Sequence, residues 1–256
     1  MSLIVAIKDR DRFVFGSDRQ ASFGQNKSHD ATKIWPVEGL PGAIMGSVGT
    51  VRGAQLIQYN NIIDLNAVAA NGGPCTTYVV NSLVPSIYKC LKANGMTVTT
   101  EGGADGDSTY WLPNIYLFAY EDQAWCVWHD LTVIEIENYK AIGSGSDVAD
   151  GVLFATSKQN PFERIATSIA AAAETTLFVD MGIDILATKA YPKDKKQIKA
   201  ALGEDATELE ETSVIIDKAV LEEAIKKELA KDQPEPAEEE KKPPKKKSTK
   251  TEKESK

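Results

Sequence analysis

The sequence predicts an α+β fold in which two β-sheets pack face to face and helices cover their outer surfaces. Three observations carry this reading. The run LIVAI begins at Leu3 and is apolar on both faces of a strand, so it needs cover on both sides. Apolar segments recur in pairs around charged or glycine-containing turns, as hairpins do. The order along the chain is strands, two helices, strands, two helices, strand, and two sheets with apolar outer faces need helices outside each of them.

Taken in order, SLIVAIK and RFVFGSD are joined by the charged turn DRD and read as a hairpin. Residues 19–33 are polar and irregular. IWPVEGLPGAIMGSVGT holds two short apolar segments separated by proline and glycine, a second strand–turn–strand. From Thr50 the pattern changes. After the NGGP break, Val79, Leu83, Ile87 and Leu91 recur at intervals of four, which is helical spacing, and Pro85 interrupts that helix. TTEGGADGDST reads as a loop, NIYLFAYEDQAWCVWH as another hairpin, and LTVIEIENYKAIGSG as one further strand ending in a glycine-rich turn.

SDVADGVLFATSK opens with a good N-cap and an acidic first turn, and NPFERIATSIAAAAETT is strongly helix-forming. VDMGIDILATKA returns to a strand. KDKKQIKAALGEDATELEE and AVLEEAIKKELAK read as short amphipathic helices with TSVIID between them as a candidate edge strand. The expected organisation is one domain over residues 1–189, a helical extension over 190–231, and a tail over 232–256 with almost no apolar residue, which should be disordered.

Composition narrows the function. The chain has 256 residues, 42% hydrophobic and 26% charged, as an ordinary soluble globular protein has. Its net charge is -8, but residues 231–256 hold nine lysines and seven acids, leaving 20 basic against 30 acidic residues in the rest. Such an acidic body is a poor partner for a nucleic-acid backbone. Cys75, Cys90 and Cys126 are odd in number and lack CxxC spacing, so a disulfide framework is not expected and a reducing compartment fits better. LIVAI is too short for a secretory signal core, and no stretch reaches the apolar length of a membrane span. A cytoplasmic protein with no membrane partner is expected. No HExxH, EF-hand or phosphate-loop spacing is present, so neither a metal nor a cofactor is expected.

The start of the chain, GSDRQAS, TKIW, IMGSVGT and above all YKAIGSGSDVADGVLFA together resemble the proteasome β-subunit family and its bacterial relative, the double-ring peptidase that works with an ATP-dependent unfoldase. The resemblance covers residues 2–189. It implies the four-layer α-β-β-α sandwich of the N-terminal nucleophile hydrolases, a homo-oligomeric ring, an unfoldase partner and unfolded polypeptides as substrates. Ser2 falls where that family has its N-terminal threonine nucleophile. Removal of Met1 would free its α-amine, with a reference pKa of about 7.7–8.0, to take the proton from its own hydroxyl.

Further roles follow from the resemblance. Asp18 and Lys33 match the acid and the lysine around the nucleophile, where an ammonium favours a developing alkoxide and a carboxylate holds the ammonium. Gly46 falls in the glycine turn that supplies an oxyanion-hole N–H. Ser144 matches a serine that organises the amine and the proton path. Thr176 and Val179 stand where many β subunits have aspartate and serine, and Val179 has no hydroxyl to offer. His29, in a polar segment, and His129, after the WCVW strand, are expected in surface or structural roles, and Cys126 in the core. Three functions remain open: a peptidase acting through Ser2, a structural or interaction subunit without turnover, and a hydrolase of small amides using the same machinery.

Overall fold

The first strand, β1 (Leu3–Lys8), divides its side chains between two separate cores. Leu3, Val5 and Ile7 join one apolar cluster, while Ile4 and Ala6 join another. An alternation of two along a strand sends successive side chains to opposite faces, so a run apolar at every position is a strand covered on both sides. The structure is a computed structural model and describes residues 2–23, 26–96, 99–102 and 108–202.

After β1 the chain forms β2 (Phe13–Asp18), the short β3 (Ala21–Phe23) and β4 (Asn26–Ser28), then β5 (Ile34–Pro36) and β6 (Ala43–Gly49). Helices α1 (Val51–Tyr59), α2 (Leu65–Ala70), α3 (Thr76–Tyr78) and α4 (Val84–Ala93) follow. Strands β7 (Thr99–Gly102), β8 (Ser108–Trp111), β9 (Asn114–Tyr120), β10 (Gln123–Val127), β11 (Val133–Glu135) and β12 (Tyr139–Gly143) precede α5 (Ser146–Ala155) and α6 (Pro161–Thr175). Strand β13 (Ile183–Ala187) and α7 (Asp194–Leu202) complete the described elements.

Beside the two-stranded β3-β4 and β7-β8 pairs, two larger antiparallel sheets have the orders β12-β1-β2-β13 and β11-β10-β9-β6-β5. Three apolar clusters hold them. Ile4, Phe13 and Phe15 of the first sheet share a cluster with Ile44, Leu117 and Cys126 of the second. Val5 and Val14 pack with Leu153 of α5 and Ile165 and Ile169 of α6. Met45, Tyr116 and Phe118 of the second sheet pack with Ile57 of α1 and Ile87 and Leu91 of α4. The expected α+β class is therefore present, with two antiparallel sheets and apolar faces that meet helices.

Several local expectations are corrected. Within the stretch expected to be irregular, β3 and β4 pair antiparallel, Ala21 opposite Ser28 and Phe23 opposite Asn26. The stretch read as the loop TTEGGADGDST has paired strands, β7 and β8, on either side of residues outside the described ones. The single strand expected from LTVIEIENYKAIG is two: β11 pairs with β10 in the second sheet, and β12 pairs with β1 in the first. Alternation reports a buried face but not which sheet supplies it. Pro85 does not end its helix, because a wider π-helical turn (Val79–Leu83) precedes it, with Val84 N–H bonded to Val79 O. That turn absorbs the carbonyl a proline ring would otherwise strike. Helix α5 begins after Gly145 without a side-chain cap, whereas Asn160 caps α6 by accepting from Phe162 and Glu163 N–H. TSVIID, AVLEEAIKKELAK and the charged tail lie outside the described residues. Among the described residues no helix is long and apolar enough to cross a membrane.

Candidate active site

The pairing of β1 with both β2 and β12 brings the head of the chain against two distant segments. Ser2, 7% exposed, immediately precedes β1. Its carbonyl accepts the Ser144 N–H at 2.8 Å and the Ser144 hydroxyl at 3.3 Å. Gly143 makes this approach possible. It has φ +107, and a β-carbon there would fall on the Ser2 carbonyl.

Asp18 closes β2 with no exposed surface. Its Oδ1 accepts from Leu3 N–H at 2.7 Å and from the Lys33 ammonium, and its Oδ2 accepts from Gln20 N–H at 3.1 Å. Lys33 is 5% exposed and lies at the foot of β5, so the carboxylate links the first residue of β1 to the lysine. Burial pulls the Lys33 ammonium below lysine's ordinary range, against the attraction of Asp18. Burial likewise raises Asp18, opposed by Lys33 and by the N–H groups of Leu3 and Gln20.

A cleft of about 720 Å³ opens beside this pair, and Ser2, Lys33, Ser47, Gly49, Arg52 and Tyr59 are among its walls. Gly46 does not reach it. It sits within β6, paired with Ile34 on one side and Leu117 on the other, and a β-carbon there would touch Ile34 and Ile4. The turn expected at Gly46 lies three residues later, at Gly49. Gly49 has φ +126, and a side chain there would strike Pro113 O and the Asn114 Cα. Thr50 then caps α1 by accepting the Gly53 N–H at 3.2 Å, so the N-terminus of that helix opens at the cleft.

Of the predicted residues, the fold brings together Ser2, Asp18, Lys33 and Ser144, and leaves Gly46 in the sheet. Thr176 returns its hydroxyl to Ala172 O, and Val179 is buried in the cluster around α6. The next residue reaches the site through other groups. Asp180 donates its N–H to Asp18 Oδ2 at 3.4 Å, and its Oδ2 lies 2.7 Å from His29 Nδ1. Neither Asp180 nor this role for His29 was visible in the sequence; an acid beside a buried valine at a strand entrance was the only sign. His129 is structural, with Nδ1 2.7 Å from Leu112 O. Cys126 is 1% exposed, and burial pushes its thiol up to about 12.

Among solved structures, Thiobacillus denitrificans BPH in complex with epoxomicin matches with a TM-score of 0.55 and 16% identity, covering 74% of this chain and all of that one. The Anbu (Gly-1) mutant from Hyphomicrobium sp. strain MC1 matches with a TM-score of 0.52 and 13% identity, covering 72% of this chain and 80% of that one. The fold of this chain is similar to that of these two structures. At these identities the likeness is one of backbone architecture. No protein-family model and no curated protein matches the sequence.

Proposed function

We propose that the chain is an N-terminal nucleophile hydrolase that cuts peptide bonds of unfolded polypeptides through Ser2. One observation carries the reading: a single buried carboxylate, Asp18, holds both the residue after Ser2 and a lysine that shares the cleft with Ser2. The three apolar clusters fit the four-layer α-β-β-α sandwich that such hydrolases use. With Met1 removed, the Ser2 hydroxyl proton passes to its own α-amine while the oxygen adds to the substrate carbonyl. The carbon–nitrogen bond then breaks, the departing amine takes that proton, and water cleaves the resulting ester. The Lys33 charge favours the alkoxide, and Gly49 N–H with the α1 N-terminus takes the oxyanion role first assigned to Gly46. Ser144 orients Ser2 through its carbonyl. A closed homo-oligomeric ring in the cytoplasm, fed by an ATP-dependent unfoldase, completes the proposal.

Intact-mass measurement of the purified protein is the first test, and retention of Met1 overturns catalysis. An electrophilic peptide probe is the second, with epoxomicin as a further probe because BPH forms a complex with it. The expected adduct is on Ser2; equally fast labelling of Ser2→Ala at the same site overturns the nucleophile. Val179, apolar where a hydroxyl is usual in the resembled family, favours a second reading as a non-catalytic structural subunit. Turnover of the same site on small amides but not on unfolded protein would favour an amidohydrolase.

A further inference from the structure

Three segments converge beside the Asp18 carboxylate that holds Lys33. The loop between α6 and β13 accepts at Leu177 O from Gln20 Nε2 at 3.0 Å and from Lys27 Nζ at 3.1 Å. Asp180, in the same loop, is the centre of the contact. Its Oδ1 accepts from Arg19 N–H and from Gly182 N–H, both at 3.2 Å, while Oδ2 meets His29. Its side chain thus grips the residue after Asp18, and its own N–H reaches the Asp18 carboxylate. His29 is 63% exposed at its side chain and Asp180 only 15%, so the histidine covers the acid from the solvent side.

We infer that Asp180, held by His29, is a positioning residue that fixes the Asp18 carboxylate and keeps Lys33 charged. The inference rests on the peptidase reading for its consequence, but not for its geometry. The charged groups around Lys33 are Asp18, Asp180 and Asp184, with Arg19 engaged by Asp184 at 3.1 Å, His29 and Lys27 on the β4 side and, once Met1 is removed, the Ser2 α-amine in the shared cleft. The Asp180 and Asp184 carboxylates both favour the ammonium, against its burial. Removing one of two outer negative charges makes Lys33 easier to deprotonate. His29 acts mechanically: without it, Asp180 keeps its N–H partners but loses its outer restraint.

The test uses the full chain and reads two signals against pH. One is the rate of labelling by the electrophilic peptide probe. The other is the NMR shift of the Gln20 amide, which donates to Asp18 away from the Ser2 α-amine and reports the pair's ionisation without turnover. Asp180→Asn keeps shape and should move the alkaline midpoint of both signals to lower pH by roughly half a unit to one unit. His29→Ala should slow labelling several-fold, and His29→Asn, with an amide nitrogen in place of Nδ1, should restore most of it. An Asp180→Asn amide titration that superimposes on the parent's overturns the inference, as does a His29→Ala protein that labels as fast as a parent that does label. Absence of labelling in the parent overturns the peptidase reading alone, because the Gln20 amide still reports on Asp180.

Discussion

Strand β2 has a buried cation near each end, and the two are bonded in opposite ways. Arg12, just before the strand, has no exposed surface, and all five of its N–H groups are used. Nε and Nη2 donate to Asp9, Nη1 and Nη2 to Asp194, and Nη1 also to Lys189 O, while the guanidinium lies 4.2 Å from the Tyr191 ring centre. Burial works against this charge, but its hydrogen bonds to Asp194 and Asp9 outweigh it and lift Arg12 above arginine's ordinary value. At the other end, one carboxylate hydrogen-bonds Lys33 and burial prevails. A fully paired cation fastens structure, here tying the start of α7 to the β1–β2 turn. A singly paired ammonium beside an open cleft keeps donors for a reacting group.

The sharpest separation comes from Ser2→Ala. With Met1 removed in the parent, this variant should lose all probe labelling, and its unfolding midpoint should stay near the parent's. Arg12→Ala should do the reverse. Leaving Asp9 and Asp194 without their cation should cost about 3–5 kcal/mol in denaturant unfolding, with labelling per folded molecule unchanged. Lys33→Ala should slow labelling by about 10²–10³-fold, the scale of losing one transition-state charge contact. Its stability loss should be smaller than that of Arg12→Ala, because Asp18 retains the N–H groups of Leu3 and Gln20. Equal stability losses in the two variants would erase the difference between the two ends. Asp18→Asn should label at an intermediate rate.

The smallest expected effect is on pH dependence. Lys33 titrates below its ordinary value when folded, so between the two values the unfolded chain binds the proton more readily. Its contribution to stability therefore rises with pH across that window. Lys33→Met removes the contribution, and unfolding of variant and parent compared at pH 7 and in the alkaline range should show a smaller gain for the variant. A parallel pair of curves would place Lys33 with Arg12 as a settled structural charge.

The site was partly legible because its chemistry clings to strand ends. Ser2 precedes β1, Asp18 ends β2 and Lys33 precedes β5, positions that a hairpin reading reaches unaided. Gly46 and Gly49 could not be told apart in IMGSVGT. Both are glycines at a strand–helix passage, and only the end point of β6 decides which one turns. Asp180 and His29 were missed for another reason. They are 151 residues apart, each in a polar stretch, and nothing periodic links them.

By itself the sequence determined that β1 is covered on both faces, that hairpins and paired helices alternate, and that an acidic body is unsuited to a nucleic-acid backbone. Each of these follows from side-chain periodicity or charge, which are local or summed quantities. Tertiary structure alone decided that β11 and β12 belong to different sheets, that Gly143 must lack a side chain because Ser2 lies against it, and that Val179 turns inward while Asp180 reaches Asp18. The reason is physical. Burial, partner number and close approach are set by segments far apart in the chain, and those quantities make one buried cation a fastening and leave the other beside an open cleft.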